Sequence, residues 1–275
     1  MTDFDAYAEA ERRGWSDPDV ARAYADRFAA VADQAARPTL EAAGADAGLR
    51  ALDIGCGHGT LTRGLVEAGC DTDAVDASAE MLAIARNRAK AARFHEADAG
   101  ALPFKDASFD LAVAGFSIPH MADQPKALAE ARRVLCPGGR FAMTGWVGPD
   151  RSPAFSILYA ALDEYADPDA PTPPPGPDFH RYASREASIE TLEEAGFSDA
   201  DWREVDCALT LEDPGGLYDL FAEATVRAAM LIAAQPEAAR KAIREAMIRG
   251  VEAEPEDEHG RRVVPMPATL VTAHA

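Results

Sequence analysis

Between two apolar stretches the chain runs Leu52-Asp53-Ile54-Gly55-Cys56-Gly57-His58-Gly59. Glycines at alternate positions let a backbone turn tightly and pass close to a bound nucleotide-like ligand, with the start of the next helix close behind. The spacing is Gly-x-Gly-x-Gly, and Thr60 stands where a dinucleotide loop of the form Gly-x-Gly-x-x-Gly has its third glycine. Asp53, just before the loop, repels a pyrophosphate but suits a ligand with an ammonium and a sulfonium group. The charge logic favours a cationic ligand, with an NAD-dependent oxidoreductase as the rival on the same architecture.

Further residues extend this site. Asp76 falls 21 residues after Gly55, at the expected end of a second strand, where a carboxylate accepts hydrogen bonds from ribose hydroxyls. Ala77 adjoins it, and Met81 offers a polarizable sulfur to one face of an adenine ring. Asp98 can accept from an exocyclic amine while the Ala99 amide donates to a ring nitrogen. Phe116, closing the fourth strand, joins the same set. His120 lies just beyond that strand, at the sheet's carboxyl edge, and is the candidate general base; His180 is a second, weaker one.

The elements that position these residues alternate short apolar runs with helical periodicity. Strands are expected at residues 50–54, 73–76, 93–96, 110–116 and 140–145. Between them lie helices at 60–68, from Ser78 with Met81, Leu82 and Ala85 inward, and from Asp123 and Pro125 with Leu128, Ala131 and Leu135 inward. Pro137, Gly138 and Gly139 should break the last of these. Five β-α units in series predict a doubly wound α/β sheet. Ahead of it, a helix from Asp17 carries Val20, Tyr24, Phe28 and Val31 as one stripe. Behind it come a proline-rich stretch at 168–177 and a helix at 214–232 with Leu217, Phe221, Ala224, Ala228 and Leu231 inward. A helix at 236–253 follows, with Ile243, Met247 and Val251 inward and Glu237–Lys241 and Glu245–Arg249 as exposed pairs. A strand-like segment at 263–272 could return to the sheet edge. The expected organisation is an N-terminal helical cap segment (1–45), a ligand-binding core (46–148), and a remainder (149–275) with cap insertions at about 150–183 and 213–258.

Taken as a set, the 53–59 loop, Asp76-Ala77-Ser78 with Met81, Asp98 with Leu102-Pro103-Phe104, and Arg133-Val134-Leu135-Cys136-Pro137-Gly138-Gly139-Arg140 resemble the class I S-adenosylmethionine-dependent methyltransferases. The chain is most similar to the branch that contains quinone-biosynthesis and small-molecule tailoring enzymes. The resemblance covers about residues 49–145, and Cys136 departs from the Lys more usual there. It implies a Rossmann-like, mostly parallel seven-stranded sheet whose last strand, supplied by 263–272, is antiparallel. It also implies S-adenosylmethionine as donor and S-adenosylhomocysteine as product. Asp53 with the glycine loop (Gly55, Cys56, Gly57, Gly59) would hold the methionine portion, Asp76 the ribose, and Asp98 with Ala99 the adenine.

Methyl transfer from a sulfonium is an in-line displacement served mainly by close alignment in a dry cavity. Tyr24, Phe28, Trp146, Tyr159, Phe179 and Tyr182 are the candidate lining for a small, partly apolar acceptor. A net charge of -20 and a pI near 4.6 disfavour nucleic acid as a partner. Residues 1–14 lack the pattern of a secretory signal, and no apolar run reaches membrane-spanning length, so a cytoplasmic protein without membrane insertion is expected. Four scattered cysteines suggest reduced thiols, and no metal-ligand spacing is present. A non-catalytic S-adenosylmethionine-binding protein is the alternative from another functional class, and a monomer and a homodimer are both compatible with the sequence.

Overall fold

Residues 4–275 are described by the computed structural model, so the first three residues of the expected N-terminal cap segment lie outside it. The expected strands form: β1 is Arg50–Ile54, β2 Asp71–Asp76, β3 Arg93–Glu96, β4 Phe109–Gly115 and β5 Leu135–Trp146. They are followed by β6 (Ser198–Val205), β7 (Ala208–Leu211), β8 (Arg262–Pro265) and β9 (Ala268–His274). Seven of them make one sheet in the order β3-β2-β1-β4-β5-β9-β6, with β9 antiparallel to both neighbours and β1 to β5 parallel. Strand order reverses between β1 and β4, and a doubly wound sheet opens its binding crevice at the carboxyl ends of such a pair.

The segment expected as one returning strand at 263–272 is two strands. β8 pairs with β7 in a separate two-stranded ladder, and β9 enters the main sheet one place in from the edge. The edge itself is β6, which the sequence reading missed. Its Ser198-Asp199-Ala200-Asp201-Trp202-Arg203-Glu204-Val205 run packs Ala200 and Trp202 against the core and is otherwise largely polar and exposed, as suits a strand with a single partner. β5 also starts earlier than expected: Leu135 pairs with Phe109, the register shifts, and Arg140 resumes opposite Leu111. Leu135 therefore belongs to the sheet and not to the helix before it. Gly138, at φ +75°, turns the irregular stretch and donates its amide to the Ala275 carbonyl.

Alternate residues of the strands face two cores. On one face Ala51, Leu111, Val113 and Ala142 meet the N-terminal and late helices; on the other Leu52, Ile54, Ala112 and Phe141 meet the helix Gln124–Val134. The helices expected between strands are present at Thr60–Glu67 and Ala79–Arg88, the latter capped by the Ser78 hydroxyl accepting from the Met81 amide at 3.1 Å.

The N-terminal stripe departs from a single helix. Pro18–Ala23 and Ala29–Ala32 flank a π-helical turn at Tyr24–Phe28, which rotates the stripe so that Phe28 and Val31 are buried and Val20 and Tyr24 are half-buried. A further helix, Asp5–Trp15, precedes it. In the cap, the expected 214–232 helix is two, Gly216–Glu223 and Arg227–Ala233. Val226 in the break is buried against Gly14, where a Cβ would come within 2.6 Å of the valine methyls. The break rotates the second helix so that Ile232, and not Leu231, is inward. The helix Glu237–Glu252 buries Ile243, Met247 and Val251 as expected, but its surface pairing is Lys241 with Glu245, and Arg249 reaches the Tyr165 hydroxyl. No helix among the described residues is long and apolar enough to cross a membrane.

The rotation of the second cap helix separates two neighbouring substitutions. Ile232→Ala should cost about 2–4 kcal/mol of unfolding free energy, against under ~1 kcal/mol for Leu231→Ala, in urea denaturation. The opposite ranking would restore the continuous helix.

Candidate active site

A cleft of about 760 Å³ opens at the carboxyl ends of β1, β2 and β4, within the range of small-molecule pockets. The three glycines of the loop have positive φ of +67° (Gly55), +50° (Gly57) and +90° (Gly59), each for its own reason. A Cβ on Gly55 would lie 2.4 Å from Ser117, whose hydroxyl donates to the Ile54 carbonyl at 2.6 Å and ties β1 to the loop after β4. On Gly59 a Cβ would lie 2.9 Å from the Ala85 backbone, so this glycine lets two helices pack and does not line the cleft. Around Gly57 nothing approaches within 4 Å, and bare backbone faces the cleft.

Asp76 braces the turn. One carboxylate oxygen accepts from the Gly57 amide and the other from the Ser78 amide, both at 2.8 Å. Burial raises its pKa even against these bonds. Ala77, Met81, Ala99 and Phe116 line the same cleft, as does Asp98, which also accepts from the Gly100 amide at 2.7 Å. Phe116 holds φ +57°, a conformation costing a non-glycine residue about 1–3 kcal/mol. Its amide is held by the carbonyl (3.2 Å) and the hydroxyl (3.0 Å) of Thr144, and its ring stacks on Trp146 at 4.1 Å.

Asp53 is 1% exposed. Thr62 donates to one of its oxygens at 2.6 Å, and the other has no partner among the described residues. It borders a side cavity of about 50 Å³ shared with Gly55, Cys56, Gly57, Tyr24 and Phe116, which has room for an ammonium group or a few waters. Burial first, and the nearby Asp76 charge after it, push its carboxyl up to about 7 against the Thr62 bond. An unanswered carboxylate at the foot of a bare glycine loop leaves an acceptor open to a cationic group. Cys56 borders the same cavity, with its thiol pKa raised by burial and so kept protonated.

The six aromatic candidates divide. Tyr24 lines both cavities, and Phe179 packs 5.1 Å from the His120 ring. Tyr159 stands farther out, its hydroxyl 3.4 Å from His180 Nε2, and burial lowers the pKa of His180. Phe28 and Trp146 are buried as a wall behind Tyr24 and Phe116, outside the cleft lining. Tyr182 cannot face an acceptor: it is fully buried in the core on the other side of the sheet, and its hydroxyl donates to Gln124 at 2.9 Å.

His120 lies on a short 3-10 turn, Ile118–His120, and lines the cleft. Its Nδ1 is 3.0 Å from a carboxylate oxygen of Glu11, which is 5% exposed and also accepts from Trp15 Nε1 at 2.9 Å. The Trp15 carbonyl in turn accepts from the Ser78 hydroxyl at 2.7 Å. Glu11 was missed in the sequence, where residues 1–14 read only as acidic and Ala-rich, and Trp15 was expected only as the start of the cover over the cavity, not as a partner of Glu11. The available signal was Tyr7, Ala10 and Glu11, a buried face at helical spacing that includes a carboxylate. Also missed was the cluster in which Asp33 accepts from Thr60 at 2.6 Å and lies 3.0 Å from His58 Nε2 beside the side cavity.

The glycine roles predict unequal costs. Both Gly57→Ala and Gly59→Ala impose a positive φ on alanine, about 1–2 kcal/mol, but the overlap with Ala85 should cost Gly59→Ala a further ~1–3 kcal/mol in chemical denaturation. Equal losses would remove the helix-packing account of Gly59.

Comparison with known proteins agrees with this geometry. Residues 52–143 match the family model described as a methyltransferase domain. A demethylmenaquinone methyltransferase of Renibacterium salmoninarum is 30% identical over 181 residues, covering 63% of this chain and 76% of that one. A malonyl-[acyl-carrier protein] O-methyltransferase of Enterobacter lignolyticus is 35% identical over 143 residues, and there the match spans about half of each protein, 52% of both. The fold of a Bacillus halodurans protein of known structure, 16% identical, superposes with a TM-score of 0.57 over 87% of this chain and 97% of that one. Glycine loop, acids, sheet order and relatives lead to one conclusion: the chain belongs to the S-adenosylmethionine-dependent methyltransferases.

Proposed function

We propose that the chain moves a methyl group from S-adenosylmethionine to a small, partly apolar acceptor held at the Phe116 and His120 end of the cleft, chiefly by positioning. The observation that carries the reading is Asp53, a buried carboxylate with one unpartnered oxygen beside the bare backbone of Gly57. When bound, the donor supplies a methyl group on a sulfonium and leaves with neutral sulfur. Asp53 and the glycine loop face its ammonium end, the free acceptor sites of Asp76 take ribose hydroxyls, and Met81, Asp98 and Ala99 bound the adenine. Phe116, held rigid by Thr144 and Trp146, limits the space beyond and excludes water. His120 takes the proton that the acceptor gives up.

The two relatives are named for unlike acceptors, demethylmenaquinone and malonyl-[acyl-carrier protein]. The acceptor reading here rests on this chain's own cap, which offers aromatic rings at Trp15, Tyr24 and Phe179. Turnover of methyl-labelled donor in a cell extract separates an enzyme from a protein that only binds the donor, since the latter leaves the label unconsumed.

Two substitutions test the donor site by calorimetry. Asp76→Ala should weaken donor binding at least ~10-fold, the loss of about one charge-assisted hydrogen bond, in a chain with native circular dichroism. Asp76→Asn, which keeps one acceptor oxygen, should fall between; native affinity in both would refute the ribose assignment. For Asp53 the folded carboxyl titrates near 7, above its ordinary value, so burying the charge costs stability that grows as pH rises from about 4 through 7. Asp53→Asn should therefore raise the apo Tm at pH 8, by about 2–4 °C per kcal/mol relieved, with the gain gone near pH 4. The same variant should bind donor weakly and lose the native chain's drop in affinity below pH 7. Unchanged affinity at both pH values would exclude Asp53 from the donor site.

A further inference from the structure

Glu11 lies outside the part of the chain that matches the methyltransferase family model, on a helix whose other contacts cover the donor cleft. We propose that Glu11 is the positioning residue of the acceptor site: it fixes His120 as a base for a phenolic or enolic hydroxyl, and does so only when the helix Asp5–Trp15 is seated over the donor. The inference rests on the reading of His120 as proton acceptor and adds the group that makes it one, the class of acceptor it serves, and the condition under which it forms.

The geometry is that of an oriented imidazole. Glu11, buried and 3.0 Å from Nδ1, accepts the hydrogen bond of an Nδ1–H group and so selects the tautomer whose Nε2 carries the free lone pair. No protein group among the described residues bonds Nε2. The ring is held from two sides, by Trp15 at 5.3 Å and 88° and by Phe179 at 5.1 Å and 71°. Of the other charges facing the cleft, Arg12 is engaged by Glu9, Asp76 and Asp98 by backbone amides, and Asp123 as the cap of the Gln124–Val134 helix, while Asp5 and Glu96 also line it. Lys126 also lines the cleft, with no hydrogen bond to the imidazole. His180, on the element that carries Phe179, is pushed toward its neutral form by burial. Glu11 is thus the carboxylate that answers the imidazole.

The condition follows from how Glu11 is held. Trp15 Nε1 donates to the carboxylate oxygen that faces His120, and the Trp15 carbonyl accepts from Ser78, next but one to the ribose-side Asp76. The contact that seats the helix on Ser78 therefore also holds Glu11 beside His120. A base at this position matters for an acceptor whose proton must leave during attack. A carboxylate is already ionised near neutral pH, whereas a phenol, with a pKa near ~10, is not. As the acceptor oxygen bonds to the methyl carbon and the carbon–sulfur bond breaks, the hydroxyl proton passes to Nε2. The resulting imidazolium stands against the Glu11 carboxylate, and the donor leaves as S-adenosylhomocysteine. Aromatic neighbours at Trp15, Tyr24 and Phe116 suit a planar acceptor.

The test uses the full chain with ¹⁵N-labelled histidine, alone and with S-adenosylhomocysteine, in native, Glu11→Gln and Glu11→Asp forms. Nitrogen shifts should report the Nδ1–H tautomer of His120 in the native chain, more fully populated with the product bound. Glu11→Gln should lose that preference and Glu11→Asp should retain it in part. With labelled donor and paired phenols, one ionised and one neutral at the assay pH, Glu11→Gln should slow transfer to the neutral phenol by roughly 10–100-fold, with donor KM little changed and the ionised phenol less affected. An unchanged tautomer in folded Glu11→Gln overturns the role of Glu11 whatever the rates. A lost tautomer preference with full activity in His120→Gln overturns the base reading instead, and leaves Glu11 a packing residue.

Discussion

The Asp76 carboxylate is the fixed point from which the site is assembled. It joins the end of β2, the Gly57 amide and the Ser78 amide, so the turn after β1 and the start of the helix Ala79–Arg88 cannot shift independently. From Ser78 a hydrogen-bond chain runs through the Trp15 carbonyl, the Trp15 indole and Glu11 to His120. Groups on opposite lips of the cleft thus share one framework. Bonds made to an ionised carboxylate are the stronger kind, which is why the brace is an aspartate and not a neutral amide.

A cost is accepted at the same place. Asp53 and Asp76 are both desolvated and repel each other, so burial and the neighbouring charge raise the Asp53 carboxyl together. The chain as a whole carries -20, so no general excess of positive charge offsets this. Folding alone does not require a carboxylate at Asp53, since Thr62 could be satisfied by a neutral acceptor. Under the proposed function, the ammonium group of the donor answers this charge. In the positive-φ conformation of Phe116 the backbone likewise bears strain at a point facing the cleft.

How much of this was legible follows from the range of each interaction. The loop, the strand ends and the caps at Ser78 and Asp123 were readable because each is set by residues within a few positions of one another. The seven-stranded sheet with an antiparallel last strand was accessible through the family resemblance, but β6 was not, because Ala200, Trp202 and Val205 are the only apolar residues in its largely exposed run. Glu11 was invisible for a related reason: its partner His120 is 109 residues away, and an acidic residue in a helix reads as a solvated face until something buries it. Tyr182 misled in the opposite sense. Its sequence neighbours Phe179 and His180 do face the cap, but the short turn at Arg181–Ala183 carries the next ring through to the other side of the sheet.

The helix Asp5–Trp15 meets the proline-rich stretch and the segment between β7 and β8 at small residues. Gly14 admits Val226, and Gly176 lies where any side chain would overlap the Tyr7 ring. Such contacts depend on shape between segments some 170 to 210 residues apart, and no local pattern encodes them. Val226, in the break between the helices Gly216–Glu223 and Arg227–Ala233, fills the Gly14 notch, so the helix that carries Glu11 is held by this segment from one side and by Ser78 from the other.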